Sequence, residues 1–212
     1  LPSHIKLAYL PDHGMVRLRL TAYGFHQTEL VHEIDTQFSL LKEKVKTFLV
    51  TDEDIPMELV VGKLLKQKGR TVATAESCTG GYIAHLLTSH PGSSAYYMGS
   101  VVSYDNSIKQ RILQVSKKTM ELEGAVSEDT VKQMARTVLE IMQTDYAIAV
   151  SGIMGPDGGT AEKPVGMVWI AVANKQKAEA QLFSFRFSRT RNIELTATNA
   201  LNLLRIFILG NS

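Results

Sequence analysis

Cysteine is nearly absent from this sequence, and four of its six histidines fall within the first 32 residues. The 212 residues hold one cysteine, Cys78, which excludes an internal disulfide and suits a reducing compartment, so a cytoplasmic protein is expected. No apolar run approaches the roughly 20 residues that a membrane span requires, so no membrane partner is expected. A formal net charge of +2 is too small a surplus to argue for nucleic acid. No G-x-x-G loop lies between basic helices in residues 1–50, which also argues against nucleic acid. There is no His/Cys cluster, and Asp105, Asp157 and Glu162 are scattered without metal-ligand spacing. Neither metal nor cofactor is therefore expected. The start, Leu1-Pro2-Ser3-His4, lacks an initiator Met and a basic stretch followed by an apolar one. It reads as no signal peptide, and as a chain with an upstream domain outside this sequence. What is abundant is apolar: 44% apolar against 21% charged marks a chain that folds and buries a core.

Two units are expected, residues 1–50 and 51–212. In the first, Ile5–Leu10 reads as a strand, Pro11-Asp12-His13-Gly14 as a turn, and Val16–Tyr23 as an alternating strand. Val16, Leu18 and Leu20 would face a core, and Arg17, Arg19 and Thr21 solvent. Leu30, Ile34, Phe38 and Leu41 carry a helical period, followed by a short strand-like end near Leu49. In the second unit, Met57, Leu59, Val60, Leu64 and Leu65 give a helical stripe. A strand at Thr71–Thr74, a helix at Thr79–Ser89, a strand at Tyr96–Tyr104 and a short helix at Ser107–Leu113 follow. A helix at Glu128–Met142 then leads to an unbroken apolar strand at Tyr146–Val150, as in the middle of a sheet covered on both faces. Val165–Ala173 and Ala180–Phe187 form a hairpin, and Asn192–Leu209 a final helix. Alternating strands and helices that end in a hairpin imply an α/β fold, a three-layer domain with a mixed, largely parallel sheet.

Three polar loops follow apolar strands, which is where open α/β sheets hold ligands. They are Glu76-Ser77-Cys78-Thr79-Gly80-Gly81, Tyr104-Asp105-Asn106-Ser107-Ile108-Lys109 and the loop from Ser151 to Gly159. The first sets Ser77, Cys78 and Thr79 beside the N–H groups of a helix start, where negative charge is stabilised. Gly80 and Gly81 would let a ligand come close, unless Thr79 is merely the helix cap. A serine needs a base, and no histidine is well placed: His85 and His90 lie along or beyond the helix, and the other four fall within the first 32 residues. Lys109 could serve if burial lowered its pKa, although by residue type alone a solvent-facing lysine at a helix start is the better reading. Glu76 could orient the lysine or a ligand hydroxyl, or pair with a basic group. Arg189 and Arg191 flank the start of the last helix and suit a carboxylate or phosphate.

Together T-A-E-S-C-T-G-G (74–81), S-Y-D-N-S-I-K (103–109), G-A-V-S-E (124–128), S-G-I-M-G-P-D-G-G-T-A-E-K-P-V-G (151–166) and F-S-R-T-R (187–191) resemble the C-terminal domain of the competence/damage-inducible CinA family. The resemblance covers about residues 53–210. Residues 1–50 resemble the end of that family's KH-like middle region, and the N-terminal molybdopterin-binding-like domain would be missing. The resemblance implies a Ser–Lys amidohydrolase converting nicotinamide mononucleotide to nicotinate mononucleotide and ammonia, with no cofactor. It implies Ser77 as nucleophile, Lys109 as base, Tyr104 as the assisting tyrosine and Arg191 as the arginine completing the site, leaving Arg189 without an assigned contact. Backbone N–H groups near Thr79 and Gly80 would hold the oxyanion. Glu76, Thr79, Gly80, Gly81, Ser151, Gly152 and Gly155 complete the expected substrate-binding set. The partner would be this nucleotide, with a homo-oligomer expected; a non-catalytic pyridine-nucleotide-binding module of a larger protein is the alternative.

Overall fold

The structure, a computed structural model, describes residues 1–12 and 14–210; His13 of the expected turn lies outside them. By contact the chain divides into Leu1–Ile55 and Pro56–Ser212, a boundary slightly beyond residue 50. The first unit is a hairpin of β1 (Ile5–Asp12) and β2 (Met15–Ala22) followed by a helix, α1 (Gln27–Val45). Among the described residues of this unit no strand follows α1, against the expected strand-like end near Leu49. Val16 is exposed rather than core-facing, and Ile5 is the one buried apolar residue among those described in this unit. A single hairpin and one helix have too little surface to enclose more.

The second unit runs α2 (Met57–Gln67), β3 (Val72–Glu76), α3 (Tyr82–Thr88), a 3-10 turn (Ser93–Ala95), β4 (Tyr97–Val102), α4 (Asn106–Arg111), α5 (Lys117–Leu122), α6 (Glu128–Met142), β5 (Tyr146–Gly152), β6 (Met167–Asn174), β7 (Ala178–Ser184) and α7 (Arg189–Gly210). Its strands form one sheet in the order β4-β3-β5-β6-β7. The β3 strand pairs parallel with β4 and β5, while β6 pairs antiparallel with β5 and β7. This is the expected α/β fold with a mixed sheet.

Alternation in the central strands decides what lies on each face. Ala73, Ala75, Ala147, Ala149, Ala171 and Ala173 share one core with Val131, Met134, Ala135, Val138 and Leu139 of α6. Methyl side chains on the strands let this helix sit close. Because side chains alternate along a strand, Thr74 and Glu76 point to the opposite face. There α2, α3 and α7 form the second helical layer. The buried side of α2 is Met57, Val61, Gly62 and Leu65, so the stripe is shifted from the expected Leu59, Val60 and Leu64. The α6 helix has the expected bounds; the Ser127 hydroxyl accepts from the Thr130 amide at 3.2 Å, and Glu128 and Asp129 fill the first turn.

At 22 residues, with an 18-residue window of mean hydropathy 1.2, α7 is long and apolar enough to cross a membrane by length and composition, which the sequence reading did not expect. Leu195, Ala197, Ala200, Leu201 and Leu204 of this helix are buried in the core, and Phe207 meets the Tyr146 ring edge-on at 6.3 Å. This face is occupied by the sheet and α2.

Candidate active site

The β3 strand ends at Glu76, and its pairing continues past the last residue on both sides. The Ser77 amide donates to the Val150 carbonyl at 3.1 Å, and the Ser103 amide donates to the Glu76 carbonyl at 2.7 Å. Since Glu76 lies opposite Val102, this bond carries the register one residue further and sets Ser77 beside Ser103. Ser77 is nearly buried, and its hydroxyl has no hydrogen-bond partner among the described residues.

From Ser77 the chain folds back sharply. The Gly80 amide donates to the Ser77 carbonyl at 3.1 Å, and the Tyr82 amide to the Thr79 carbonyl at 3.1 Å. Gly80 (φ +62°) and Gly81 (φ +97°) both lie in the left-handed region, so the turn requires glycine for its backbone. The cap of α3 is Gly81, not Thr79. Instead the Thr79 hydroxyl donates to Glu76 Oε2 at 2.6 Å.

Among the described residues Glu76 meets neither Lys109 nor another basic group. Its Oε2 also accepts from the amides of Gly81 (3.1 Å) and Ile83 (3.0 Å). Its Oε1 accepts from the Ala84 amide at 2.8 Å and the Thr74 hydroxyl at 3.3 Å. Free N–H groups at the start of α3 were expected to face a ligand; an internal carboxylate takes them instead. Gly80 and Gly81 are likewise unavailable as oxyanion donors. The amides of Cys78 and Thr79 remain, with no backbone partner among the described residues.

Lys109 is 1% exposed, against the solvent-facing lysine that residue type alone suggests. Asp105 caps α4 by accepting from the Ser107 amide at 2.8 Å, and this starts the helix so that its next turn returns Lys109 to the sheet end. Nζ donates to the Ser103 carbonyl at 2.7 Å and the Tyr104 carbonyl at 3.3 Å. Burial pushes its pKa below the ordinary lysine value; the nearby Cys78 and Asp105 oppose this more weakly. Burial also pushes the Cys78 thiol up to about 12, which makes it a poor source of thiolate.

A family model of the CinA C-terminal domain matches residues 54–208. This chain belongs to the CinA C-terminal domain family. A CinA-like protein of Cytophaga hutchinsonii is 46% identical over 205 residues, covering 97% of this chain and 49% of that protein. A putative competence-damage inducible protein of Halothermothrix orenii is 37% identical, covering 92% of this chain and 47% of its own length. The chain thus spans about half the length of the curated relatives it matches. The crystal structure of competence damage-inducible protein A of Klebsiella pneumoniae is 34% identical with a TM-score of 0.68, covering 70% of this chain and 92% of that one. The competence/damage inducible protein CihA of Agrobacterium tumefaciens is 35% identical with a TM-score of 0.68, covering 74% and 98%.

In this CinA-family chain Arg189 reaches the loops, while the resemblance implies Arg191 as the arginine completing the site. The Arg189 guanidinium donates to the Gly155 carbonyl at 2.8 Å and to the Tyr104 hydroxyl at 3.0 Å. Arg191 pairs with Glu194 at 3.5 Å. Tyr104 meets Lys109 through its carbonyl, not its phenol, and its side chain is exposed. Ser151 is buried with its hydroxyl on the Ala125 carbonyl at 2.7 Å. A Cβ at Gly152 would lie 2.7 Å from the Met167 carbonyl oxygen, so that glycine serves β5–β6 packing. A cavity of about 390 Å³ opens between the starts of α3 and α7, lined by Thr79, Gly80, Gly81, Tyr82, Thr190 and Glu194 among others. It meets the Ser77 turn at Thr79. Among the described residues, no group of three or more His, Cys, Asp and Glu could hold a metal ion.

Asn192, which the sequence reading passed over, ties these loops together. Fully buried, it donates from Nδ2 to the carbonyls of Met154 and Phe187, both at 3.1 Å, and its Oδ1 accepts from the Phe187 amide at 3.2 Å. Asn192→Ala would strand those backbone groups in the core. The expected loss is about 2–4 kcal/mol of stability, read from urea unfolding.

Proposed function

We propose that this CinA-family chain is an amidohydrolase that converts nicotinamide mononucleotide to nicotinate mononucleotide and ammonia. The observation that carries this reading is Lys109: a fully buried lysine beside Ser77's strand end, whose amine meets two carbonyls and, among the described residues, no carboxylate. Burial without an ion pair favours the neutral amine, the form a general base requires. Ser77 attacks the carboxamide carbon, and its proton passes to Lys109. The oxyanion that forms is held by the amides of Cys78 and Thr79. The C–N bond then breaks as the proton moves from Lys109 to the departing nitrogen. Water cleaves the resulting ester with the same lysine as base. Arg189 and Tyr104 form the rim that orients the nucleotide, with Arg189 available to its phosphate.

The second reading, a nucleotide-binding module without turnover, draws on one specific feature. Two of the three possible Lys109 donors are committed to carbonyls, with no contact to the Ser77 hydroxyl. Ammonia release from nicotinamide mononucleotide separates the two readings: a folded chain that binds the nucleotide and releases none is the module.

The two arginines make distinct predictions. Arg189→Ala is expected to lower kcat/KM for the nucleotide by roughly 10–100-fold, as for loss of a charge-assisted contact. Arg191→Ala should stay within about threefold, because it leaves the rim intact. Steady-state kinetics on both variants checks this, and the reverse ranking would return the role to Arg191.

A further inference from the structure

We propose that Glu76 is a positioning residue for the reaction at Ser77, acting as a built-in anion that fixes the Ser77–Gly81 turn and determines which amides face the oxyanion. The inference rests on the reading of Ser77 as nucleophile. Glu76 is fully buried and immediately precedes Ser77. Five donors converge on its two oxygens: three backbone amides of α3 and its cap, and the hydroxyls of Thr74 and Thr79. A carboxylate offers about four lone-pair sites, so this acceptor is saturated.

The consequence runs through Thr79. Its hydroxyl is held at 2.6 Å by the same oxygen that accepts from Gly81 and Ile83. The peptide between Cys78 and Thr79 is therefore anchored on both sides, by this contact and by the Gly80 amide on the Ser77 carbonyl. Glu76 also removes Gly81, Ile83 and Ala84 from the donors that a substrate anion could find. What remains is the pair on the Ser77 side, Cys78 and Thr79. A substrate phosphate drawn to the positive end of α3 would compete with the carboxamide for this turn; with Glu76 in place that end is already neutralised.

Thr74 extends the network, since its hydroxyl also lies 3.1 Å from the half-buried Tyr97 hydroxyl. The carboxylate is thus held from the strand side as well as the helix side. An acceptor gripped from both sides is suited to hold a turn within the few tenths of an ångström that oxyanion geometry requires.

The test is Glu76→Gln, which keeps the shape but turns an NH2 group toward amide donors. Two readouts are taken: ammonia release from nicotinamide mononucleotide, and the rate at which a fluorophosphonate labels Ser77, followed by intact mass with Ser77→Ala as blank. A cooperatively melting Glu76→Gln protein is expected to lose about 10–100-fold in kcat and in labelling rate, with KM within about threefold. A purely structural role would lower the melting temperature and leave those ratios near one, and that result overturns the proposal. Glu76→Ala with added acetate is the second variant: saturable return of kcat with acetate but not chloride supports the anion's role, and a rise in melting temperature alone opposes it. If the parent labels at Ser77 yet releases no ammonia, the substrate reading fails while the Glu76 inference is still judged on labelling. If the parent neither labels nor releases ammonia, the nucleophile it serves is gone and the inference falls.

Discussion

Ser77→Ala is expected to reduce ammonia release from nicotinamide mononucleotide by roughly 10,000-fold or more while leaving the melting transition almost unchanged. The size of the effect follows from the mechanism: without the hydroxyl there is no acyl-enzyme, and only direct attack by water remains. The small effect on stability follows from the surroundings. The Ser77 hydroxyl has no hydrogen-bond partner among the described residues, so its removal strands no partner in the core. The backbone bonds that hold the residue, from its amide to Val150 and from Gly80 to its carbonyl, do not involve the side chain. Nucleotide binding should survive, because the rim formed by Arg189 and Tyr104 is independent of the hydroxyl. Ammonia assay, calorimetric melting and nucleotide titration on one preparation check all three statements. Parental turnover in Ser77→Ala would sink the Ser–Lys mechanism.

Much of this fold could be read from the sequence because its signals are local. Unbroken apolar strands, a capped α6 and a hairpin turn at Asn174–Lys177 each announce themselves within a dozen residues. The α5 helix does not: six residues carry no apolar stripe, and only the Ser116 hydroxyl on the Thr119 amide marks its start. The site was legible as three loops and, through resemblance, as particular residues. Its electrostatics were not. By residue type Glu76 could orient the lysine or a ligand hydroxyl, or pair with a basic group. Its true partners include Gly81, Ile83 and Ala84, which come within reach only after the glycine turn reverses the chain. Arg189 and Arg191 posed a similar difficulty. Residues two apart on a helix point about 200° apart, so one can reach the loops while the other turns away. Spacing alone could not say which, and the contacts assign the loops to Arg189.

Lys109→Met offers the second large effect, and it divides activity from stability in opposite directions. Loss of the base is expected to lower kcat by about 100–10,000-fold. In the parent, kcat/KM should rise with pH through the lysine's lowered pKa, because the neutral amine is the active form, and this limb should vanish in the variant. Stability follows from the same shift by proton linkage. Above the folded-state pKa but below the ordinary value near 10.5, the unfolded chain holds a proton on Lys109 that the folded chain does not. The unfolded state then binds more protons, so the lysine's contribution to stability rises with pH in that window. Below the folded-state pKa, the full cost of burying the ammonium is present. Methionine carries no such cost, although it gives up the bonds to the Ser103 and Tyr104 carbonyls. The unfolding free energy of Lys109→Met minus that of the parent should therefore be most favourable to the variant at low pH and shrink toward pH 10. Urea unfolding at pH 6, 8 and 10 measures that difference, and charges common to both proteins cancel. A difference independent of pH would mean that Lys109 titrates as an ordinary lysine, and a base with an ordinary pKa would be almost wholly protonated at neutral pH.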